Sequence, residues 1–156
     1  MQSKNLTNLT FYSIPPEEAP MSLLLEADPS EANIRNYLEN ALCYVAEHDG
    51  AIVGVCVLNG LKHGEIELFN IAVAPAMQAK GIGAALLHYV IDDLRSRGVK
   101  RIVLGTGTFG YQLAFYQRAG FRVESIDKDF FIRNYDEPIF ELGIQLKDML
   151  RLGLDL

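Results

Sequence analysis

The feature that most constrains the fold is a glycine-containing loop that runs directly into an amphipathic helix. In the stretch QAKGIGAALLHYVIDDLRSRG, Gln78 to Gly98, apolar residues recur at helical spacing on one stripe: Ile82, Leu86, Leu87, Val90, Ile91 and Leu94. The segments before and after it, Glu65 to Val73 and Arg101 to Gly107, have the apolar pattern of strands. A strand, a helix and a strand in this order predict a right-handed crossover between parallel neighbours.

The rest of the chain predicts further strands and helices around this unit. Strands are expected at Leu9–Ile14, Leu42–Glu47, Ala51–Leu58, Phe121–Asp127 and within Gly143–Leu152, and helices at 16–27, 29–41 and 110–119. The dipeptides Asp49-Gly50 and Asn59-Gly60 favour tight turns, which makes the early strands an antiparallel meander. The sequence therefore predicts an α/β fold with a mixed seven-stranded sheet, antiparallel first and parallel in the middle.

Length and charge narrow the class of protein. A chain of 156 residues is expected to form one domain, residues 1–156. The net charge of −6 argues against nucleic acid as a partner and permits a cationic substrate. No apolar run is long enough to cross a bilayer, the first residues lack a signal-peptide core, and Cys43 and Cys56 lie in apolar runs typical of buried thiols. We expect a cytoplasmic protein without membrane contact.

The loop before the helix has the properties of an anion site. Backbone N–H groups at a helix start carry a partial positive charge, and glycines allow a phosphate to approach the backbone closely. A nucleoside-triphosphate loop would need G-x-x-x-x-G-K-[ST], which the chain lacks. A dinucleotide fingerprint would need a third glycine, where this chain has Leu86, and would follow the first strand rather than the fourth.

Two longer sequence segments resemble the motifs of a known family, and this resemblance indicates which phosphate-containing ligand the loop would bind. NIAVAPAMQAKGIGAALL resembles motif A of the GNAT N-acetyltransferase superfamily, [QR]-x-x-G-x-[GA], at Gln78, Gly81 and Gly83. LAFYQRAGFR is similar to the family's motif B, with its Y-x-x-x-G-F signature beginning at Tyr116. The segment from Phe121 onward resembles an uncharacterised bacterial branch of the family. The resemblance implies a sheet whose fourth and fifth strands splay apart to admit CoA.

The resemblance also implies where the donor, acetyl-CoA, would bind, without a metal. The pyrophosphate would contact the loop and the helix start at Gln78, Ala79, Lys80, Gly81, Ile82, Gly83 and Ala84. The pantetheine arm would pair with the strand backbone at Ile71, Ala72 and Val73. Many family members have an asparagine before the motif B helix, which this chain lacks; Thr106 or Thr108 would supply a hydroxyl instead.

Two residues are expected to carry the chemistry. Tyr116 matches the position of the family's tyrosine general acid, which protonates the leaving thiolate; the alternative is a tyrosine that only packs on its helix. Glu67 matches the position of a catalytic glutamate in several members, although Glu65 or a water molecule remains an alternative base. The three histidines have no partners at metal-ligand spacing.

The acceptor is expected to be a primary amine on a small cationic molecule. Acidic residues occur in the segments that form acceptor walls in the family: Glu17, Glu18, Asp127, Asp129, Asp136 and Glu137. Four aromatic residues, Phe130, Phe131, Tyr135 and Phe140, either line an apolar pocket or belong to the core or a dimer surface, and the second interpretation is favoured. A protein or peptide acetyltransferase and a non-catalytic acyl-CoA-binding module are the alternatives, and a homodimer is an expectation from the family.

Overall fold

A mixed sheet of seven strands forms the centre of the protein. The computed structural model describes residues 8–156. The strands of the main sheet are β1 (Leu9–Ile14), β2 (Leu42–His48), β3 (Ala51–Lys62), β4 (Glu65–Val73), β5 (Arg101–Gly107), β6 (Arg122–Asp127) and β9 (Met149–Asp155), and β7 (Phe140–Glu141) and β8 (Ile144–Gln145) form a separate hairpin. Their spatial order is β1-β2-β3-β4-β5-β9-β6. The predicted seven-stranded mixed sheet is confirmed.

Five helices cover the sheet or border its open end. They are α1 (Met21–Ala27), α2 (Glu31–Leu38), α3 (Ile82–Ser96), α4 (Tyr111–Arg118) and α5 (Phe130–Asn134), and single 3₁₀ turns occupy Pro16–Glu18 and Pro75–Met77. The predicted stripe of α3 is buried against one face of the sheet. Helices α1 and α2 pack on the opposite face, where Leu23, Leu24 and Ile34 join a second apolar cluster. The sheet therefore separates two cores.

The antiparallel meander is confirmed, but one of its turns was placed wrongly. Asp49 and Gly50 have φ angles of 49° and 80°, as a tight hairpin requires. Strand β3 continues through Asn59-Gly60 and turns instead at His63-Gly64, where φ is 53° and 80°. The side chain of Asn59 donates to the carbonyl oxygens of Tyr37 and Glu39 at 2.9 and 2.8 Å, so it caps the end of α2.

Strands β4 and β5 are parallel neighbours only over the first part of their length. Residues Glu65–Leu68 pair with Arg101–Leu104, and beyond this point β5 pairs only with β9. The second half of β4 therefore diverges from β5 and leaves a slot between them. This is the splay that the sequence predicted.

A β-bulge at Phe69 changes which side chains of β4 face each core. Leu68 is opposite Leu58 and Asn70 is opposite Val57, so Phe69 is an extra residue on the β4 side. Before the bulge, Leu68 packs in the core beneath α3; after it, Ala72 packs in the core beneath α1 and α2. Because a one-residue shift exchanges the two faces of a strand, the side chains of β4 change sides at the bulge.

The C-terminal part of the chain differs from the prediction in two respects. The single strand expected within Gly143–Leu152 is divided into the short β8 and the start of β9. The five-residue helix α5 was not predicted, because its apolar residues are too few to show helical periodicity. Together with the β7–β8 hairpin, α5 borders the open end of the slot.

Candidate functional site

Two clefts open at the splay, and Tyr116 lines both of them. The first has a volume of about 350 Å³ and lies between the end of β4, the loop before α3 and one side of α4. The second has a volume of about 490 Å³ and lies between α1, α2, the bulge of β4, α5 and the hairpin. One residue between two clefts is the arrangement that a reaction of two bound substrates requires.

The loop before α3 has a backbone conformation that depends on glycine. Gly81, the residue preceding α3, has φ of 81°, a left-handed conformation that other residues rarely adopt. Gln78 braces the loop, because its Nε2 donates to the carbonyl oxygen of Val73 at 3.1 Å. The first N–H groups of α3 have no helical acceptor and lie beside the first cleft, where they can hold an anion.

Most of the residues predicted to bind the donor come together in the first cleft. Its lining includes Ile71, Ala72, Val73, Gln78, Ala79, Gly81, Ile82, Gly83 and Ala84. Lys80 and Thr108 are exposed and lie outside the lining of either cleft. Thr106, the alternative to Thr108, is buried and lines the second cleft.

The sequence reasoning missed the contribution of α4 and α1 to this cleft. Tyr111, Phe115 and Arg118 lie on one side of α4 and line it, and Glu26 and Ala27 line it from the end of α1. The spacing of the three α4 residues, about one helical turn each, was a signal that could have found them. Among the described residues that line the first cleft, Arg118 is the only lysine or arginine.

Tyr116 is both packed and open to the clefts. It is 8% exposed and makes edge-on contacts with the rings of Phe115 and Phe121, at centroid distances of 5.2 and 5.8 Å. Burial raises the pKa of the Tyr116 phenol, since a phenolate would lose its hydration there. The phenol is therefore protonated at neutral pH, as a general acid must be at the start of the reaction.

The second cleft has an aromatic wall. Phe130, Phe131, Tyr135 and Phe140 all line it. None of the four side chains is fully buried in the core, and all take the pocket-lining position that was the less favoured interpretation of the sequence. Their place at a dimer surface stays a prediction. They reach the cleft because α5 and the hairpin fold back over the end of β5.

Glu67 lies in the second cleft and is paired with a cation from β9. Its Oε2 accepts from Arg151 Nη1 at 3.1 Å, and both side chains are 29% exposed. Arg151 is in register with Gly105 on β5, and a Cβ at Gly105 would overlap Met149 Sδ and lie 3.0 Å from Arg151 Nη1. The missing side chain lets Arg151 cross β5. Glu65, the alternative base, pairs with Arg101 at 3.3 Å, outside the lining of the cleft.

Hydrogen bonds join the two walls of the second cleft. The Tyr135 hydroxyl, just after α5, donates to Asp28 Oδ1 at 3.1 Å, and Asn33 Nδ2 donates to the carbonyl oxygen of Asn134 at 3.3 Å. The α1–α2 segment is therefore tied to the α5 segment across the cleft. All four of these residues belong to the lining of the second cleft.

The charge of the second cleft is negative, but not from the residues expected. Four carboxylates line it, Glu26, Asp28, Glu67 and Glu141, and Arg151 is the single lysine or arginine among its lining residues. None of the acidic residues predicted as acceptor walls, from Glu17 to Glu137, is part of this lining. Within residues 8–156, no group of three or more histidine, cysteine or acidic residues is arranged to hold a metal ion.

Comparison with known proteins identifies the family. A family model described as "Acetyltransferase (GNAT) family" matches residues 8–121. The chain belongs to the GNAT acetyltransferase family. The predicted activity, N-acetyl transfer from acetyl-CoA, is confirmed at the level of the family. Within residues 8–156, no helix is long and apolar enough to span a membrane.

Individual relatives place the chain within the family. It is 46% identical over 135 residues to the "Uncharacterized N-acetyltransferase YvbK" of Bacillus subtilis (strain 168), covering 86% of this chain and 87% of the relative. A GNAT family acetyltransferase from Elizabethkingia anophelis, solved with acetyl-CoA bound, superposes with a TM-score of 0.90 at 40% identity, covering 96% of this chain and 99% of the other. The predicted likeness to an uncharacterised bacterial branch is confirmed.

A more distant relative has a protein acceptor. The "[Ribosomal protein bS18]-alanine N-acetyltransferase" of Escherichia coli (strain K12) is 38% identical over 68 residues, which is 43% of this chain and 46% of the relative. The aligned sequence is thus less than half of either protein. The solved structure of the E. coli ribosomal-protein-S18-alanine N-acetyltransferase superposes over 94% of this chain and 93% of the other, with a TM-score of 0.76 at 25% identity.

Proposed function

We propose that this protein transfers the acetyl group of acetyl-CoA to a primary amine of a small cationic molecule, by direct attack in a ternary complex. The observation that carries the proposal is the position of Tyr116 between two clefts, one formed by the glycine loop and the splayed end of β4, the other acidic and bounded. A donor and an acceptor bound on the two sides would meet at this residue.

The donor would lie in the first cleft. Its pyrophosphate fits the N–H groups at the start of α3, next to the left-handed Gly81. Its amide arm fits the end of β4, whose backbone has no partner strand on the side of β5. Arg118 would add a positive charge at the same cleft.

The reaction would then need only proton transfers and one displacement. Glu67, or a water molecule that it orders, would take a proton from the acceptor ammonium. The neutral nitrogen would attack the thioester carbon, so that a C–N bond forms and the C–S bond breaks. Tyr116 would give its proton to the leaving thiolate and would be reprotonated by the second proton that the nitrogen loses as the amide forms. The products are an amide and free CoA, with the ammonium proton passed to Glu67 and then to solvent.

A small acceptor is favoured over a protein by the bonds across the second cleft. Tyr135 and Asn134 tie α5 to Asp28 and Asn33, where an extended peptide would need an open groove. The acidic lining favours a positively charged acceptor.

The experiment is an acceptor screen in which purified protein, acetyl-CoA and single amines are mixed and released CoA thiol is measured. We expect turnover with small cationic amines and not with unstructured peptides. The variant Tyr116→Phe should lower kcat by roughly 10²–10⁴-fold. Its matched control is Tyr12→Phe, since the Tyr12 hydroxyl bonds Glu47 on the far edge of the sheet.

Two outcomes would change the conclusion. Turnover with a peptide but with no small amine would favour a protein acceptor. A protein that binds acetyl-CoA in calorimetry and transfers its acetyl group to nothing would be a binding module.

A further inference from the structure

Asp28 is a buried carboxylate without a cationic partner. It lies between α1 and α2, lines the second cleft and is 8% exposed. Its Oδ1 accepts from the Ser30 amide at 3.0 Å and the Tyr135 hydroxyl at 3.1 Å, and its Oδ2 accepts from the Tyr37 hydroxyl at 3.2 Å. Of the ion pairs within residues 8–156, none includes Asp28. Buried charges in proteins are usually paired.

Asn70 supplies a second, independent sign of a missing ligand. It lines the same cleft and is 3% exposed, and its Oδ1 accepts no hydrogen bond within the described chain. The orientation of the amide is fixed, because Nδ2 donates to the Leu24 carbonyl at 3.0 Å and the Tyr37 hydroxyl at 2.9 Å. Exchange of the two amide atoms would place oxygen against oxygen at Leu24. A buried acceptor without a donor is costly.

The two residues belong to one hydrogen-bonded network. Asn70 donates to the Tyr37 hydroxyl, and that hydroxyl donates to Asp28, so the hydroxyl proton is already used. The network contains a negative charge and an orphan oxygen, and its tyrosines have no proton left to give. An ammonium or similar cationic nitrogen carries both of the missing elements, a positive charge and several N–H donors.

Arg151 cannot supply this charge, because it is paired with Glu67. The two charged groups of the cleft that lie nearest β9 thus compensate each other, whereas Asp28 on the opposite wall is uncompensated. Because Phe69 forms a β-bulge, Glu67 and Asn70 lie opposite Asn59 and Val57, which are two residues apart on β3 and therefore about 7 Å apart along the strand. An acceptor that reacts beside Glu67 and Tyr116 therefore has room for a second group at Asn70.

We propose that Asp28 and Asn70 form a subsite for a second cationic nitrogen of the acceptor, so that the substrate is a primary amine with another positive charge several bonds away. The inference rests on the proposed function. It adds the requirement of a second positive charge on the acceptor. The proposed function does not include this requirement, since a singly charged amine could also be acetylated.

The test compares matched acceptors with the wild-type protein. With acetyl-CoA at saturation, kcat/KM is measured for 1,6-diaminohexane and for hexylamine, and for 1,4-diaminobutane and butylamine. A charged hydrogen-bonded contact corresponds to roughly a ten- to hundredfold preference for the diamine. We expect that preference for at least one chain length. Equal values for each pair would overturn the subsite and leave the proposed function standing.

The variant Asp28→Asn locates the effect. It keeps the size of the side chain and an oxygen that can accept from a tyrosine. We expect the KM for the preferred diamine to rise by more than the KM for the matched monoamine, with the larger effect in KM and not in kcat. An equal loss with both amines would show a structural role and overturn the proposal. Asp92→Asn is the control, because Asp92 lies exposed on α3 and pairs with Arg95.

A binding measurement separates the two proposals. Calorimetry of 1,6-diaminohexane and 1,4-diaminobutane with the protein saturated by CoA needs no turnover. A heat of diamine binding that is measured with the wild type and is absent with Asp28→Asn supports the subsite. This result would hold even if no amine were acetylated and the proposed function failed. No heat with either diamine, together with no diamine preference in turnover, would overturn it.

Discussion

Arg151 Nη1 lies 3.1 Å from Glu67 Oε2, although the two residues are on strands separated by β5. The contact is possible because the residue of β5 opposite Arg151 is Gly105. Glu67 is the residue that the sequence singled out as a base, and its carboxylate is held by this guanidinium. In the proposed mechanism, in which Glu67 is the base, Arg151 is therefore the residue that positions its carboxylate.

Loss of Arg151 should therefore affect turnover more than binding of the donor. We expect Arg151→Gln to lower kcat by about ten- to hundredfold, because a displaced catalytic group loses alignment with the reacting amine. Arg151→Lys should recover part of the loss, since it keeps the charge. The affinity for CoA, measured by calorimetry, should stay within about twofold of the wild type.

The control for this prediction is Arg95→Gln. Arg95 pairs with Asp92 on the outer face of α3, and exposed pairs of this kind contribute about 0–1 kcal/mol to stability. A wild-type kcat in Arg151→Gln would show that Glu67 needs no anchor.

Gly105→Ala tests the contact between Arg151 and Glu67 sterically, because it adds a methyl group beside Arg151. A methyl group there would overlap Met149 Sδ and press against Arg151 Nη1, so both side chains must move. We expect the free energy of unfolding to fall by about 1–3 kcal/mol, as in other overpacked sites, with a loss of kcat. Urea denaturation and thiol release would measure the two effects. If neither the free energy of unfolding nor kcat changed, the side chains of β9 would be able to move aside without loss of stability or activity.

Gly81 and Gly83 form a matched pair in the donor loop. Gly81 has φ of 81° and no atom within 4 Å of a Cβ, so Gly81→Ala is opposed by backbone conformation alone. Gly83 has no such φ, and its Cβ would lie 3.5 Å from Val73, an ordinary contact. We expect Gly81→Ala to lose about 1 kcal/mol of stability and to bind CoA more weakly.

Gly83→Ala should fold like the wild type. Thermal unfolding and calorimetry with CoA provide the comparison. If both variants bound CoA equally well, the left-handed conformation at Gly81 would have no part in donor binding.

Cys43 gives a prediction about alkaline pH. Burial first, and then the charge of Glu17, raise the pKa of this thiol from 9.0 to about 11. In the unfolded chain the proton leaves near the lower value, so between the two values the folded state holds more protons. The stability that Cys43 contributes is complete below about pH 9 and is lost as the pH rises toward 11.

We expect the free energy of unfolding in urea to fall less steeply over this range in Cys43→Ala than in the wild type. The smaller side chain also lowers the free energy of unfolding, but by the same amount at every pH. It therefore shifts the curve of unfolding free energy against pH without changing its slope. Parallel curves for the two proteins would contradict the raised pKa.

Local patterns in the sequence were sufficient for the sheet, the donor loop and α3. The stripe from Ile82 to Leu94 and the apolar runs beside it repeat at the periods of a helix and of strands, and Gly81 and Gly83 are separated by a single residue. Periodicity and short motifs depend on neighbouring residues, and a single sequence shows such neighbours directly.

The turn after β3 shows the limit of these local rules. Asn59-Gly60 has the composition of a hairpin turn, yet Asn59 binds the carbonyl oxygens at the end of α2, and the strand continues to His63. A tertiary contact with a helix more than twenty residues away overrides the local preference.

The second cleft was decided only by tertiary structure. Tyr135 meets Asp28 across 107 positions of sequence, and Arg151 meets Glu67 across 84. The first contact requires α5 to fold back over β5, and the second requires a strand order in which β9 lies beside β5 and a glycine faces Arg151. Such pairings depend on the order of strands in the sheet, on a β-bulge and on the direction of side chains. They cannot be predicted from a repeating pattern along the chain. The sequence by itself indicated the part of the first cleft that residues 71–84 form, because they are one continuous segment with a recognisable pattern. The packing of distant segments brought α1 and α4 to that cleft and determined the second cleft.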